Sequence, residues 1–554
     1  MASQVVAAAA LRWRIKVGIE IHARVLAKSK LFSGSSTSFA HDQINPNDQV
    51  ALFDAGVPGT LPQVNAACVD QAIRTGLALK GQIHAFSVFE RKHYFYGDSP
   101  LGFQITQQRQ PVVSGGELHV YVKDTSDEDA AAQQAQAQKK SKKKSKKAKK
   151  SSSDDTKASV GPELIIPASS ERIVRITRIQ LEQDTGRMLP TLDGGKQLLD
   201  LNRAGTGVME IVTEPDMESP AEAAEFVRTI QTLLRTVGTC DGNMEDGSLR
   251  ADVNVSVHAP GINSHRVEVK NLNSIRAVSR AVEYEASRLA EIYKDVEPDD
   301  IPTPARTAET RAFDALEGIS RQLRDKEGAA DYRFFPDPDL PPLVVEQSRI
   351  DEIERTMPPL PEAILSRLRG PGLELPEDDA LVLFHTIGAI PYFDAVCEAL
   401  QSLPKPPVGG PSQASSWICS VLMGYDTLAL HETLHPQFLA HIVQMTAEEE
   451  ISRLTAKKLI SDNIGNLEAR DPRSIVEANG LYQINDEGAL RELSMKVIDQ
   501  IAATPKGKKL VKDFLGGKDA LLGSFMGQVM RASDQRANAR LLEPLVRDSL
   551  ERFR

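Results

Sequence analysis

Apolar and polar residues alternate along several short segments in the first half of the chain, a pattern typical of β-strands with one buried face. In the first of these segments, Val17, Ile19 and Ile21 share one face. Glu20 and His22 share the opposite face. The segment is therefore predicted to be a strand whose polar face carries a carboxylate and an imidazole.

Three further segments repeat this alternation. Their polar faces carry Glu182 and Asp184 in residues 179–184, Arg250 and Asp252 in residues 250–257, and Glu268 and Lys270 in residues 265–270. Carboxylates on adjacent strands repel one another unless a cation lies between them. Oxygen ligands with one imidazole favour Mg²⁺ or Mn²⁺ over zinc, and Mg²⁺ usually accompanies a phosphate-bearing substrate. We therefore predict a divalent-cation site, with solvated strand residues as the alternative that spacing alone leaves open.

Two amphipathic helices interrupt the strands. The first follows Ser219, with Pro220 at the first helical position and Glu222 three residues after the cap. The second begins at Ser274 and has a broad apolar face. Strands and helices arranged in this way over residues 13 to about 300 predict an α+β domain that is rich in strands and flanked by helices.

The spacing of apolar residues changes near residue 350, where helical patterns separated by segments rich in Pro and Gly begin. Thr446 and Glu449 have the spacing of a capping box and predict the start of a helix ahead of Ile451. A last helical unit is predicted from about residue 480 to residue 554. An all-α domain and a small α-helical tail should therefore follow the strand-rich domain.

Composition and charge exclude several classes of protein. The chain of 554 residues is 41% hydrophobic, which is enough for packed cores, and its longest apolar stretches are too short to span a bilayer. Four cysteines without a CxxC pair indicate neither a structural zinc site nor a disulfide framework. The net charge of −10 conceals nine lysines in residues 139–150, so overall charge gives no argument for nucleic-acid binding.

Two segments have unusual composition. Residues 124–159 are of low complexity and predict a surface loop without regular structure, either a solvated tether or a contact to a phosphate backbone. Residues 1–16 have no acidic residue and carry Arg12, Arg14 and Lys16, which is similar to part of an organellar presequence.

Common catalytic motifs are absent or out of context. Residues 431–435 match HExxH, but Pro436 disfavours a helical His435, so we do not predict zinc there. The sequence has no GxxxxGK[ST] loop, no GxGxxG after a strand and no nucleophile elbow. Use of ATP would therefore require another type of phosphate cradle.

An aromatic and basic group offers a second candidate site. It comprises Arg91, Lys92, Tyr94, Phe95, Tyr96 and Asp98, followed by Gln104 and Gln107. Tyrosines alternating with polar groups can line a pocket for a nucleotide or for the end of an RNA. An ordinary aromatic strand is the other interpretation.

At these residues the chain resembles the GatB family, one of the component chains of the tRNA-dependent amidotransferases, over residues 14 to 554. The segments that carry the resemblance are VGIEIHARVLAKSKLFS at 17–33, VPGTLPQVN at 57–65, RKHYFYGDSPLGFQITQQRQP at 91–111, LEQDTGR at 181–187, DLNRAGTGVMEIVTEPD at 200–216, GNMEDGSLRADVNVSV at 242–257, EVKNLNSIRAV at 268–278 and KEGAADYRFFPDPDLPPL at 326–343. Their number and order exclude a chance match.

The resemblance implies a cradle domain at 13–345, a helical domain at 346–480 and a tail at 481–554 that helps to recognise tRNA. It implies that ATP phosphorylates the side chain of glutamate on Glu-tRNA(Gln), after which ammonia displaces phosphate to give Gln-tRNA(Gln). A separate amidase subunit would release the ammonia from glutamine, and a small bridging subunit would complete the complex. Mg²⁺ is the implied cofactor.

The resemblance also implies roles for individual residues. The implied primary metal ligands, the His22 group, are His22, Glu182 and Glu210. A second set, the Glu20 group, would hold a second cation or orient the first ligands, and it consists of Glu20, Asp252 and Glu268. The implied phosphate or substrate contacts are Lys92, Tyr94, Arg250 and Lys270. The sequence departs from the family pattern at Gln180, Gln183 and Gly97, which leaves the second metal position less defined.

A catalytic ligase component is the leading interpretation. A noncatalytic tRNA-binding scaffold of the same complex and a stand-alone metal-dependent hydrolase are the alternatives. The presequence-like start and the polylysine insert favour the mitochondrial matrix, with a plastid or a prokaryotic cytoplasm as alternatives.

Overall fold

The computed structural model of the chain describes residues 12–37, 45–122, 163–165, 171–190, 197–294, 309–325, 332–425 and 430–554. The predicted low-complexity insert at 124–159 lies outside these residues. So does most of the presequence-like start. Within the described residues the first part of the protein contains strands with flanking helices and the second part is mainly helical, so the predicted α+β class is confirmed.

The strands belong to the first part of the chain. They are β1 Arg12–Arg24, β2 Gln82–Ile83, β3 Phe86–Ser87, β4 Glu90–His93, β5 Phe103–Thr106, β6 Val113–Ser114, β7 Glu117–Tyr121, β8 Glu163–Ile165, β9 Glu171–Gln183, β10 Arg187–Pro190, β11 Gln197–Asp200, β12 Gly207–Thr213, β13 Leu249–Ala259, β14 Ile262–Asn263, β15 Val267–Leu272, β16 Glu309–Asp314, β17 Ile319–Asp325, β18 Phe335–Pro336 and β19 Leu343–Val344.

The helices flank the strands and then form the second part. They are α1 Ala66–Ala78, α2 Pro220–Thr236, α3 Ile275–Tyr293, α4 Gln347–Arg355, α5 Pro361–Arg369, α6 Glu377–His385, α7 Ala389–Gln401, α8 Gly410–Ser420, α9 Leu430–Thr433, α10 Pro436–Ala447, α11 Arg453–Asp462, α12 Pro472–Ala478, α13 Glu487–Ala503, α14 Pro505–Leu515, α15 Leu522–Ala532 and α16 Ala539–Glu551. Among these described helices, none is both long enough and apolar enough to cross a bilayer.

A large mixed sheet organises the first part. Its strand order is β17-β16-β15-β13-β1-β12-β9-β6-β2, and most neighbours are antiparallel. Strand β1 lies between β13 and β12, so that His22 pairs with Arg250 on one side and with Glu210 on the other. The four alternating segments predicted from the sequence therefore lie in one sheet, and β12 separates β1 from β9.

One face of this sheet is covered by helices. The apolar residues of β1, including Trp13, Val17 and Ile21, are completely buried in the core. Helices α2 and α3 pack against each other, and α3 packs on β13. The opposite face carries the acidic residues, because successive side chains of a strand point to opposite faces.

Both predicted helix starts of the first part are confirmed. The Ser219 hydroxyl accepts a hydrogen bond from the Glu222 backbone nitrogen at 3.1 Å. The Ser274 hydroxyl accepts one from the Ala277 nitrogen, also at 3.1 Å. Each bond satisfies a donor that the first turn of a helix leaves without a partner.

The chain forms two compact units, residues 1–360 and 361–554. Helix α4 belongs to the first unit, where Ile350 and Ile353 are buried in the core. The second unit is helical and contains two apolar cores, one built from residues between Leu368 and Val476 and the other from residues between Leu490 and Leu550. The proposed division at 345 and 480 stays a prediction.

The capping box predicted at Thr446 and Glu449 is wrong. Thr446 lies in the last turn of α10, where its hydroxyl donates to the carbonyl of Ile442 at 2.8 Å. The next helix begins at Arg453, and Ser452 caps it by accepting from the Thr455 nitrogen at 3.1 Å. The spacing fits a cap, but a threonine can equally bond back to the preceding turn of a helix.

Candidate active site

A cavity of about 880 Å³ opens on the acidic side of the large sheet in the first unit. Its walls come mainly from β1, β4, β5, β9, β12, β13 and β15 and from the loops that follow β4, β9 and β11. The lining residues are His22, Lys92, His93, Tyr94, Phe95, Tyr96, Asp98, Gln104, Glu182, Gln183, Asp184, Thr185, Arg203, Val208, Arg250, Asp252, Lys270, Asn271 and Tyr332. Seven of the ten residues implied by the resemblance line the cavity, and Glu20, Glu210 and Glu268 lie on neighbouring positions of the same strands.

The His22 group occupies three adjacent strands. His22 on β1 is directly opposite Glu210 on β12. Glu182 on β9 is opposite Val208, two residues before Glu210. Pairing of β1, β12 and β9 in this register therefore brings together three residues that are far apart in the sequence.

The two carboxylates of this group are buried and act on each other. Burial raises the pKa of Glu210, and the charge of Glu182 raises it further, while His22 and Lys92 lower it. The Oε2 atom of Glu182 is buried and has no hydrogen-bond partner in the described residues. Lys92 lies close to it, with its Nζ 3.6 Å from that oxygen, which is beyond hydrogen-bond distance.

This arrangement fits a divalent cation. A buried carboxylate oxygen without a donor is costly, and a second buried carboxylate nearby increases that cost. The donor set of two carboxylates and one imidazole suits Mg²⁺ or Mn²⁺. Neutral donors orient both acids, because Gln104 Nε2 lies 3.2 Å from Glu182 Oε1 and Gln180 Nε2 lies 3.0 Å from Glu210 Oε2. Gln180, where the sequence departs from the family pattern, thus donates a hydrogen bond to the proposed metal ligand Glu210.

The Glu20 group occupies β1, β13 and β15. It therefore extends from β1 in the direction opposite to that of the His22 group. The ligand atoms of Glu20, Asp252 and Glu268 are within 4.8 Å of one another, the one such cluster of three acidic, histidine or cysteine side chains in the residues described. These three acids thus approach one another more closely than the three members of the His22 group. The resemblance implied only a secondary role for them.

The Glu20 group already contains a cation of the protein. Lys270 Nζ is 2.7 Å from Glu268 Oε1 and 3.0 Å from Asp252 Oδ2. Burial lowers the pKa of Lys270, but Asp252 and Glu268 outweigh it and raise that pKa overall. The backbone nitrogen of Asn271 donates to Asp252 Oδ1 at 2.7 Å. The ammonium group therefore neutralises part of the charge of this cluster.

Two arginines form a cationic wall of the cavity. Arg250 Nη2 donates to Asp184 Oδ2 at 3.1 Å, and Arg203 Nε donates to the Thr185 carbonyl at 3.0 Å. The Nε atom of Arg250 is buried and has no partner in the described part of the chain. The sequence patterns do not single out Arg203, because nothing in its glycine-containing turn indicates where its side chain points. Such donors suit the oxygens of a phosphate or a carboxylate.

The aromatic group divides into two sets. Strand β4 ends at His93, and Tyr94, Phe95 and Tyr96 follow it in the cavity wall. The rings of Tyr94 and Tyr96 lie 4.6 Å apart, and Phe95 is 81% exposed. These three aromatic residues therefore support the interpretation that they line a pocket and not that they form an ordinary aromatic strand.

The remaining members of the aromatic group have structural contacts. Arg91 bonds to Asp337 at 2.8 Å and stacks over the ring of Phe103 at 4.2 Å. Gln107 accepts a hydrogen bond from the Leu181 backbone nitrogen at 3.0 Å. Neither residue lines the cavity, so both belong to the scaffold.

The HExxH segment lies in the second unit and does not form a metal-binding helix. Helix α9 ends at Thr433, and His435 is the residue that caps α10. The interruption before Pro436 agrees with the sequence prediction.

Two family models match the chain, and together they cover most of it. The model described as the GatB/GatE catalytic domain matches residues 15–351, which include every lining residue of the cavity. A second model, described as the GatB domain, matches residues 392–550. The chain belongs to the GatB family.

Relatives match this chain over almost its full length. A mitochondrial glutamyl-tRNA(Gln) amidotransferase B subunit, from Phytophthora infestans, is 40% identical over 97% of this chain and 95% of its own length. Bacterial aspartyl/glutamyl-tRNA(Asn/Gln) amidotransferase B subunits from Gluconobacter oxydans and Rhodopseudomonas palustris are 37% and 39% identical, over 97% and 99% of this chain and 97% and 98% of their own lengths.

Proposed function

We propose that this chain is the component of a tRNA-dependent amidotransferase that converts glutamate on Glu-tRNA(Gln) into glutamine. The observation that carries the proposal is the cavity of the first unit, which joins buried carboxylates, cationic side chains and exposed aromatic rings in one place. Relatives over nearly the whole length are named as B subunits of such enzymes.

The chemistry explains why such a cavity is needed. A carboxylate does not react with ammonia until one of its oxygens becomes a good leaving group, and transfer of a phosphoryl group from ATP provides that. Phosphoryl transfer depends mainly on positioning and on neutralising charge. Lys92, Arg250 and Lys270 provide positive charge in the cavity, and Arg250 Nε is available to donate to an anionic oxygen.

His22, Glu182 and Glu210 are the residues that would hold Mg²⁺. Bound there, the cation would neutralise phosphate oxygens of ATP and polarise the transferred group. The Glu20 group plays a different part in this proposal, because its acids hold Lys270 and thereby keep an ammonium group at the cavity wall.

Ammonia must come from elsewhere. The four cysteines are poor nucleophiles, since burial raises the pKa of each thiol to about 12. The sequence also lacks the nucleophile elbow that would present a reactive serine. Both observations support a partner amidase subunit that hydrolyses glutamine, together with a small bridging subunit.

The exposed rings at the cavity mouth suit the acceptor end of the tRNA. Bases stack on aromatic side chains without needing a particular sequence. Phe95 and Tyr96 are 81% and 54% exposed and follow Tyr94 in the wall. The predicted role of the tail in tRNA recognition adds a second contact on the helical unit.

We propose the mitochondrial matrix as the compartment. The basic start of the chain without acidic residues and the mitochondrial relative support it. Because bacterial relatives also match, a prokaryotic cytoplasm is the alternative. Microscopy of a tagged chain with its native start distinguishes the two compartments.

The function is tested with the assembled complex, Mg²⁺, ATP, glutamine and Glu-tRNA(Gln). Gln-tRNA(Gln) should form only with ATP, and His22→Ala and Glu210→Ala should abolish its formation. His431→Ala, in the rejected HExxH segment, is the matched control and should retain full activity.

Two outcomes contradict the proposal. Full turnover by the His22→Ala and Glu210→Ala variants would indicate a noncatalytic tRNA-binding scaffold. Amidation without ATP, or hydrolysis by the isolated chain, would indicate a different reaction class.

A further inference from the structure

Three buried polar atoms in residues that line the cavity have no hydrogen-bond partner among the described residues. They are Glu182 Oε2, Arg250 Nε and Asp98 Oδ1. The first two suit a metal ion and an anion. The third is an acceptor that neither role uses, so it calls for a ligand group that donates hydrogen bonds.

Asp98 is held firmly in the cavity wall. It is only 9% exposed, and its backbone carbonyl accepts a hydrogen bond from the Gly186 nitrogen at 2.7 Å. The Ser99 nitrogen donates to the Tyr96 carbonyl at 3.0 Å, which closes the turn that contains Asp98. The backbone that carries this carboxylate therefore has a fixed position, which favours selective binding.

Two tyrosines, Tyr94 and Tyr96, line the same cavity as this carboxylate. Burial raises the pKa of Tyr94 to about 12, and the charge of Asp98 adds to that effect. The ring of Tyr96 lies 4.6 Å from that of Tyr94. A buried carboxylate beside two tyrosine rings attracts a small cation through both charge and cation–π interaction.

One substrate of the proposed reaction carries such a cation. ATP and the side chain of glutamate are anionic, whereas the aminoacyl ester of Glu-tRNA(Gln) carries an α-ammonium group. We propose that Asp98, with Tyr94 and Tyr96, forms the subsite that binds the α-ammonium group of the aminoacyl-tRNA. This inference rests on the proposed function and adds a substrate-recognition residue to it.

The test pairs a change in the substrate with a change in the protein. Glu-tRNA(Gln) is compared with the same tRNA carrying 2-hydroxyglutarate, which replaces the ammonium by an uncharged hydroxyl of similar size. The wild-type complex should use the hydroxy ester with a kcat/KM lower by about ten- to a hundredfold, the size expected for a hydrogen bond to a charged group. Asp98→Asn should lower kcat/KM for Glu-tRNA(Gln) and leave little difference between the two substrates.

Controls separate recognition from folding. Asp216→Asn removes a carboxylate that pairs with Arg175 and does not line the cavity, so it should keep the wild-type ratio between the substrates. If Asp98→Asn does not fold, the comparison in the wild-type complex still tests the inference. Equal use of both substrates by the wild type overturns it, and so does an Asp98→Asn variant that loses equally on both.

Failure of the proposed function would differ from these outcomes. In that case the wild-type complex would convert neither substrate in the presence of ATP and glutamine. Conversion of both substrates at the same rate would contradict only the Asp98 subsite.

Discussion

The His22 group and the Glu20 group lie on the same sheet, on either side of β1, yet they differ in how their charge is balanced. In the Glu20 group, Lys270 contacts two of the three acids within 3.0 Å. In the His22 group, the nearest ammonium, that of Lys92, lies 3.6 Å from Glu182 Oε2. That buried oxygen has no hydrogen-bond partner in the described residues, and the pKa of Glu210 is raised. Compactness alone favours the Glu20 group as the metal site, whereas charge balance favours the His22 group, which is the site we propose.

Close carboxylates therefore do not by themselves mark a metal site. A cluster that contains its own ammonium group has part of its charge neutralised and gains less from another cation. A looser cluster with an unsatisfied oxygen gains more. Substitutions in the two groups should consequently differ in their effects on activity and on stability.

Glu182→Gln should cause the largest loss. It removes the charge of the unsatisfied carboxylate, so several kcal/mol of charge stabilisation are lost and ATP-dependent formation of Gln-tRNA falls by about a hundredfold or more. Single-turnover amidation measures the effect. Glu117→Gln, on β7 and 39% exposed, is the control and should retain activity. Equal rates for Glu182→Gln and the wild type would contradict the proposal that the His22 group binds the metal.

Lys270→Met should destabilise the fold by about 2 kcal/mol, because it leaves the acids of the Glu20 group without their cation. Urea unfolding with and without Mg²⁺ measures this. Mg²⁺ should recover more stability in the variant than in the wild type, since the empty position then accepts an ion. Lys80→Met, at a surface pair with Glu117, should cost under about 1 kcal/mol. A variant with the wild-type response to Mg²⁺ would contradict the role of Lys270.

Stability without metal should fall as pH rises through the raised pKa of Glu210. Its folded pKa lies above its unfolded one, so the folded state binds more protons between the two values. The free energy of unfolding should therefore decrease with rising pH there, by about 1.4 kcal/mol per pH unit at most. Unfolding in a chelating buffer measures this slope. Glu210→Gln should remove it, and an unchanged slope in that variant would assign the effect to other groups.

Thr310→Val should have the smallest effect. The hydroxyl of Thr310 lies 3.3 Å from Glu268 Oε2, whereas Lys270 contacts Oε1, so its loss should cost about 1 kcal/mol or less. Urea unfolding and amidation rates measure it, and activity should fall only a few-fold. Thr60→Val, in an exposed turn, is the control. A loss as large as that of Glu182→Gln would show that the Glu20 group acts directly in the reaction.

Local sequence patterns predicted the strands and their polar faces, because alternation is a property of each strand by itself. They could not predict the order of the strands, which decides that His22 meets Glu210 and Arg250. Glu210 was identified only through the family resemblance. Strand β12 is buried on both faces, so its sequence does not alternate between apolar and polar residues. No alternation could therefore draw attention to Glu210.

The contacts of Lys270 and Arg203 show a second limit. Whether a lysine neutralises neighbouring acids or a substrate depends on distances of a few ångströms between strands. No spacing in the sequence encodes those distances. The misplaced capping box has a local cause, since the spacing does not decide whether the hydroxyl of Thr446 bonds to the turn before it or to the turn after it.

Anomalous diffraction from crystals of the complex soaked with Mn²⁺ tests most directly whether the His22 group holds the metal. We expect an ion bound by His22, Glu182 and Glu210, with Lys270 still in contact with Asp252 and Glu268. An ion bound only by Glu20, Asp252 and Glu268, with Lys270 displaced, would contradict this assignment.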